Sequence, residues 1–272
     1  MPTAPATALP TRRLGDSALE VSVVGLGCNN FGRRLDLEAT AAVLDAALEA
    51  GITLFDTADV YGGGESERLM GEALVGRREE FVLATKFGME MSDAGAPDAP
   101  RGSREYIRWA IEGSLSRLGV ERIARERDLS RFVTLQNEYS LLQREIEAEV
   151  TPTCERFGVS ILPYFPLASG LLTGKYRRGE HGPEGSRLAG SERPGTDEQF
   201  DAVEALEAFA ESRGIGVLDV AIAGLAAQPA VGSVIAGATR PAQIAANVAA
   251  IGWRPSAEDL AELDQIAPTP RR

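Results

Sequence analysis

The 272-residue chain has one histidine, His181, and two cysteines, Cys28 and Cys154. One imidazole and two scattered thiols cannot assemble a His/Cys metal centre, so no metal is expected. Two cysteines also build no disulfide framework, and a reducing cytoplasm is the expected compartment. Cys28 follows an apolar strand and reads as an inert packed thiol in preference to a reactive one. Basic charge is in deficit as well: Lys and Arg number 28 against 40 Asp and Glu, for a net charge of −12. That balance argues against nucleic acid or an anionic membrane surface as a partner. No apolar run of about 18 residues occurs, so no membrane-spanning helix is expected. The first residues lack the charged n-region and long apolar stretch of a signal peptide. No G-x-G-x-x-G follows the first strand, which disfavours a Rossmann site.

What is present suits one α/β domain, with 44% hydrophobic and 25% charged residues. Residues 1–11 read as a flexible Pro- and Ala-rich tail and 12–272 as a single domain. A hairpin is expected at 12–21. Strands follow at 21–27, 52–55, 81–85, 131–136, 159–164 and 232–236. Helical periodicity falls between them, at 37–50, 66–74, 103–118, 144–157, 197–212 and 218–227, with a helix begun at 237–247 and a last one at 256–266. Two strands stand out. The first runs into Asp56 and then into a loop carrying Tyr61, and the second stops at Lys86. Buried-type strands that each end in one ionisable residue suggest that their C-termini face a common site, as in parallel barrels and open α/β sheets. A lysine at an apolar strand end needs a carboxylate, and Asp56 is the natural partner. A cation beside the Tyr61 hydroxyl favours tyrosinate, so Tyr61 can exchange a proton near neutral pH. Taken singly, Asp56 reads more readily as a loop cap, Lys86 as a solvated strand end and Tyr61 as a surface aromatic; the three together, with both strands ending in charge, favour the common site.

Four ordered motifs carry a resemblance. They are Phe55-Asp-Thr-Ala-Asp-Val-Tyr61 with Gly-Gly-Gly-Glu-Ser-Glu67, Ala84-Thr-Lys86, Gln136-Asn-Glu-Tyr139, and Pro166-Leu-Ala-Ser-Gly-Leu-Leu-Thr-Gly-Lys175. In these the chain resembles the aldo-keto reductases. The resemblance implies a parallel (β/α) TIM-type barrel and hydride transfer from NADPH to a small-molecule carbonyl. It also implies a tetrad of Asp, Tyr, Lys and His, of which Asp56, Tyr61 and Lys86 match three. The fourth has no match. After Val120 a fourth strand is due, yet a charged helical stretch at 121–129 follows, and the strand at 131–136 resembles the family's sixth. About 50 residues, somewhat under two strand–helix units, have no counterpart, which leaves six of the eight barrel strands recognisable. The missing part would carry the tetrad histidine and a Ser-Asn pair for the nicotinamide carboxamide. His181, in a polar loop after the strand at 159–164, is a poor substitute.

For the cofactor, the resemblance implies Gln136 on the carboxamide and Tyr164 stacked on the nicotinamide ring. Leu167, Ser169, Leu172 and Lys175 would close over the pyrophosphate. Gly237 opens the last barrel helix, whose N-terminal N–H groups with Thr239 and Arg240 suit a phosphate. This matches the adenosine 2′-phosphate site, so NADPH is favoured over NADH, with Gln243 and Asn247 on the adenine side. Loss of the histidine removes an oriented donor, and loss of two strands leaves open edges. The alternative is a non-catalytic NADPH-binding or regulatory protein derived from the same family. The loops at 88–102 and 168–195 carry no distinctive chemistry, so the substrate stays open, as does the oligomeric state.

Overall fold

A computed structural model of the chain describes residues 9–89, 97–120, 133–191 and 194–268. Most of the expected tail, the stretch at 121–129, the junction at which two strand–helix units are expected to be missing, and parts of the loops at 88–102 and 168–195 lie outside the described residues. Close packing gathers the chain into two compact units. One is Gly25–Arg131 with Met1–Thr11 and Gly237–Ala245; the other is Arg12–Val24, Phe132–Ala236 and Ala246–Arg272.

Strands β1 (Thr11–Arg13) and β2 (Glu20–Ser22) form the expected hairpin, with Leu14 N–H donating to Leu19 O at its turn. The strand expected at 21–27 is divided between β2 and β3 (Val24–Gly27), with the Ser22 hydroxyl donating to Val24 O at 2.6 Å across the break.

In the first unit, α1 (Leu37–Glu49) begins where the Asp36 carboxylate accepts from Ala39 N–H. It buries Thr40, Val43, Leu44 and Ala47 at helical spacing and stops before Gly51, whose φ of 82° favours glycine. Strand β4 (Leu54–Asp56) is buried on both faces, as parallel strands are. It pairs in parallel with β3 (Gly27 opposite Asp56) and with β5 (Val82–Ala84; Asp56 opposite Ala84). This register sets the residues after all three strands on one edge. Helices α2 (Glu65–Ala73) and α3 (Arg104–Leu118) pack against each other, and α3 has the expected Ser103 cap and left-handed Gly119. At Gly71 an added Cβ would stand 2.6 Å from Arg117 O, so only glycine lets α2 approach the end of α3 this closely.

In the second unit, β6 (Thr134–Glu138) and β7 (Ser160–Tyr164) pair in parallel, Thr134 opposite Ser160 and Glu138 opposite Tyr164. The helix expected at 144–157 is shorter: a 3-10 turn at Glu145–Glu147 precedes α4 (Val150–Phe157). Pro152 is the reason. It lacks an N–H, so it is tolerated in a first turn and would break a helix begun at 144. Helix α5 (Asp197–Ser212) turns Phe200, Val203, Leu206 and Phe209 inward. Helix α6 (Val217–Ala226) is apolar almost all round and almost wholly buried. With Leu171, Leu172, Tyr176 and Leu263 these residues form one core, in which each large side chain contributes about 1.5–3 kcal/mol. Strand β8 (Val234–Gly237), α7 (Pro241–Ala249) and α8 (Ala257–Ile266) complete the described chain. Among the described residues six strands follow the hairpin, none of the helices is long and apolar enough to cross a membrane, and no cluster of ligands could hold a metal.

Candidate active site

Register sets Asp56, at the end of β4, opposite Ala84, the last residue of β5, with Lys86 two positions beyond it. The Lys86 ammonium donates to Asp56 Oδ2 at 2.7 Å and to Thr57 O at 2.8 Å, and it stands 3.4 Å from the Tyr61 phenolic oxygen, which accepts. It also lies 5.0 Å from the centre of the Tyr61 ring. The Asp56 side chain is 5% exposed and that of Lys86 34%, so a desolvated carboxylate fixes an ammonium whose other side meets solvent. Tyr61 is presented by a tight turn through Gly62, Gly63 and Gly64, all at positive φ. At Gly64 a Cβ would meet Arg117 Cδ at 2.8 Å. The structure thus brings together the three residues expected to act together.

Behind the trio lies a second layer that the motifs contain but do not announce. Glu67, wholly buried on α2, accepts from Thr85 Oγ1 at 2.6 Å and from Arg117 Nε at 2.7 Å. Thr85 directly precedes Lys86, so this buried pair anchors the end of β5. Ser66 Oγ donates to Cys28 O and shares a hydrogen bond with Thr57 Oγ1 at 2.8 Å. Cys28 is fully buried; burial first, and then the Asp56 charge, push its thiol well above the ordinary range, so it stays protonated and inert. The sequence signal for Glu67 was an acid in a helical first turn beside glycines, which more often marks a solvated helix start.

The expected cofactor residues fall into two groups. In the first unit Thr239 N–H donates to Gln243 Oε1 at 2.7 Å, and the Thr239 hydroxyl to the same oxygen at 3.1 Å, so Gln243 caps its own helix. Gly237 and Arg240 are exposed beside this turn, and Asn30 Nδ2 donates to Ala238 O. In the second unit Gln136 lies mid-strand on β6, Tyr164 ends β7 and is 37% exposed, and Asn247 is buried on α7. Leu167 and Ser169 are half-buried, and Lys175 is exposed with its ammonium 5.1 Å from the Tyr176 ring. Leu172 is buried in the core, so only its backbone could meet a ligand. Phe165, Ala168 and Ser169 have φ of 52°, 46° and 59°, and among the described residues no other non-glycine has positive φ. Backbone strain concentrated in one loop is a mark of binding segments, and periodicity could not have found it. His181 is exposed within the same long loop.

The model of the Aldo/keto reductase family matches residues 23–125 and 120–268. A "Probable voltage-gated potassium channel subunit beta" of Oryza sativa subsp. japonica is 30% identical over 303 aligned positions, covering 88% of this chain and 90% of its own. A "Probable aldo-keto reductase 1" of Glycine max is 30% identical, covering 94% and 88%. Two solved structures share the fold. Aldo-keto reductase AKR11C1 from Bacillus halodurans, in holo form, has a TM-score of 0.79 at 26% identity and covers 96% of this chain and 97% of its own. The glycerol dehydrogenase AKR11B4 from Gluconobacter oxydans has 0.80 at 25%, covering 98% of each. The chain is therefore of the parallel (β/α) barrel class.

Proposed function

The chain belongs to the aldo/keto reductase family, oxidoreductases that use a nicotinamide cofactor on carbonyl substrates, and from that premise we propose that it reduces an aldehyde or ketone to an alcohol with NADPH. Tyr61 is the general acid, and Lys86 and Asp56 tune it. The observation that carries this reading is the ammonium of Lys86, neutralised by Asp56 at 2.7 Å and 3.4 Å from the Tyr61 hydroxyl.

NADPH, when bound, supplies the hydride. Tyr61 hydrogen-bonds the substrate oxygen and passes its proton there as negative charge develops, a contribution of about 10²- to 10⁴-fold. The phenolate left behind faces Lys86, whose charge stabilises it, and Asp56 and Thr57 O keep the ammonium from turning away. With no histidine in the tetrad, the substrate oxygen lacks one oriented donor, worth about 10²- to 10³-fold, so turnover is slow. The residues available for the cofactor fit its parts. Tyr164 offers an exposed ring for stacking, with Gln136 for the carboxamide. Leu167, Ser169, Leu172 and Lys175 serve the pyrophosphate, the last as a cation and Leu172 through its backbone. Arg240 is an exposed cation beside Gly237 and Thr239 for the 2′-phosphate, with Gln243 and Asn247 for the adenine. A cytoplasmic setting belongs to the same proposal.

The test is oxidation of NADPH, followed by nicotinamide absorbance, with a panel of aldehydes and ketones. Tyr61→Phe lowers turnover by about 10²- to 10⁴-fold; a variant as active as the parent overturns the assignment. A regulatory reading is favoured by the potassium-channel β-subunit names of relatives such as the rice protein. Saturable quenching or enhancement of NADPH fluorescence without turnover of any carbonyl would decide for it.

A further inference from the structure

Asp59 has no part in the chemistry above, yet its surroundings are costly for a charged carboxylate. It lies three residues after Asp56 and two before Tyr61, is 1% exposed, and neither carboxyl oxygen has a hydrogen-bond partner. Its own backbone N–H donates to Lys86 O at 3.0 Å. The charged groups that act on its side chain are Glu67 on α2 and Arg117 on α3. Arg117 is committed to Glu67 at 2.7 Å, and Lys86 directs its ammonium to Asp56, Thr57 and Tyr61. If both acids were charged, two buried carboxylates would be set against a single guanidinium, which is already bonded to Glu67. Burial, then the Glu67 charge, push the Asp59 acid up from its ordinary range, and the Val60 amide and Arg117 do not offset them.

We propose that Asp59 is a positioning residue whose uncharged form keeps the Asp56–Tyr61 loop seated on the Lys86 carbonyl, so that the Tyr61–Lys86 contact is held only while Asp59 is protonated. The inference rests on the reading of Tyr61 and Lys86 given above. The Asp59 amide fixes Lys86 through its carbonyl, and Glu67 fixes the preceding Thr85 through its hydroxyl. Charge on Asp59 repels Glu67 and drives the loop toward solvent, away from that amide bond. An acid raised in the folded state stabilises fully below its unfolded pKa, and that contribution is lost as pH rises through the folded value. Stability and turnover therefore both fall with rising pH on account of this group.

Asp59→Asn mimics the uncharged acid in size and removes its titration. Thermal midpoints and NADPH-dependent turnover of the wild type, Asp59→Asn and Tyr61→Phe, recorded from about pH 5 to pH 8.5, test the proposal. Asp59→Asn is expected to raise the midpoint by about 2–4 °C at the alkaline end, with the gain shrinking toward the acid end, and to flatten the alkaline fall in kcat. Equal pH slopes in wild type and Asp59→Asn, or an Asp59→Asn chain that does not fold, overturn it. If Tyr61→Phe stays active, the proposed reaction fails, while the midpoints still decide the role of Asp59.

Discussion

Two tyrosines, one in each unit, sit beside buried ions and are held in opposite senses. Tyr139 donates its proton to Glu147 Oε1 at 2.6 Å; burial first, then this carboxylate, push its phenol well above the ordinary range, and it stays protonated. Tyr61 instead accepts from an ammonium. A carboxylate partner locks a phenolic proton, whereas an ammonium donor stabilises the phenolate that remains when the proton leaves. The surroundings differ in the same direction. Around Tyr139 the guanidinium of Arg144, 6% exposed, bonds both oxygens of Glu147, Asp264 Oδ1 and Ala267 O, tying α8 to the turn before α4. Around Tyr61 the lysine is a third open to solvent, and a buried acid nearby has no partner. A saturated ion cluster holds structure, and an unsaturated one beside a hydroxyl can move a proton.

Mutations can break this contrast. Arg144→Ala leaves the half-buried Glu147 and the buried Tyr139 without their cation and should cost about 3–5 kcal/mol in urea denaturation, because the largely desolvated acid stays behind. Lys86→Met should cost less, about 1–3 kcal/mol for a buried Asp56 that loses its cation, while turnover falls on the order of 10²-fold. Should Lys86→Met prove the more destabilising of the two, the second unit's cluster is not the structural one and the contrast is reversed. At the small end, Arg68→Ala breaks exposed pairs to Glu65 and Glu72 on α2 and should leave the thermal midpoint unmoved within error, since such pairs often contribute nothing measurable.

The alternation of strand and helix was legible because parallel strands buried on both faces are written as short apolar runs, as in β4, and because Ser103 and Gly119 mark the ends of α3 with cap chemistry. Asp56 and Lys86 stood out as single charges at the ends of such runs. Boundaries failed where a local feature outweighed periodicity: Pro152 delays α4, and the break at Val23 divides an apolar run into β2 and β3. The burial of Glu67 and Asp59 was not legible at all, since an acid in a helical first turn or a polar loop ordinarily faces water.

Residue order alone supplied the candidate groups: a carboxylate and an ammonium each closing an apolar strand, a phenol five positions beyond the first, and a single histidine in a polar loop after the strand at 159–164. Only the folded arrangement decided that the ammonium lies between the carboxylate and the phenol, that Thr85 hangs from a buried Glu67, and that Phe165, Ala168 and Ser169 are held in left-handed backbone. The reason is physical. Pattern along a chain reports which side chains avoid water, whereas hydrogen bonds of about 3 Å depend on parallel register between strands some thirty residues apart, which no local preference encodes.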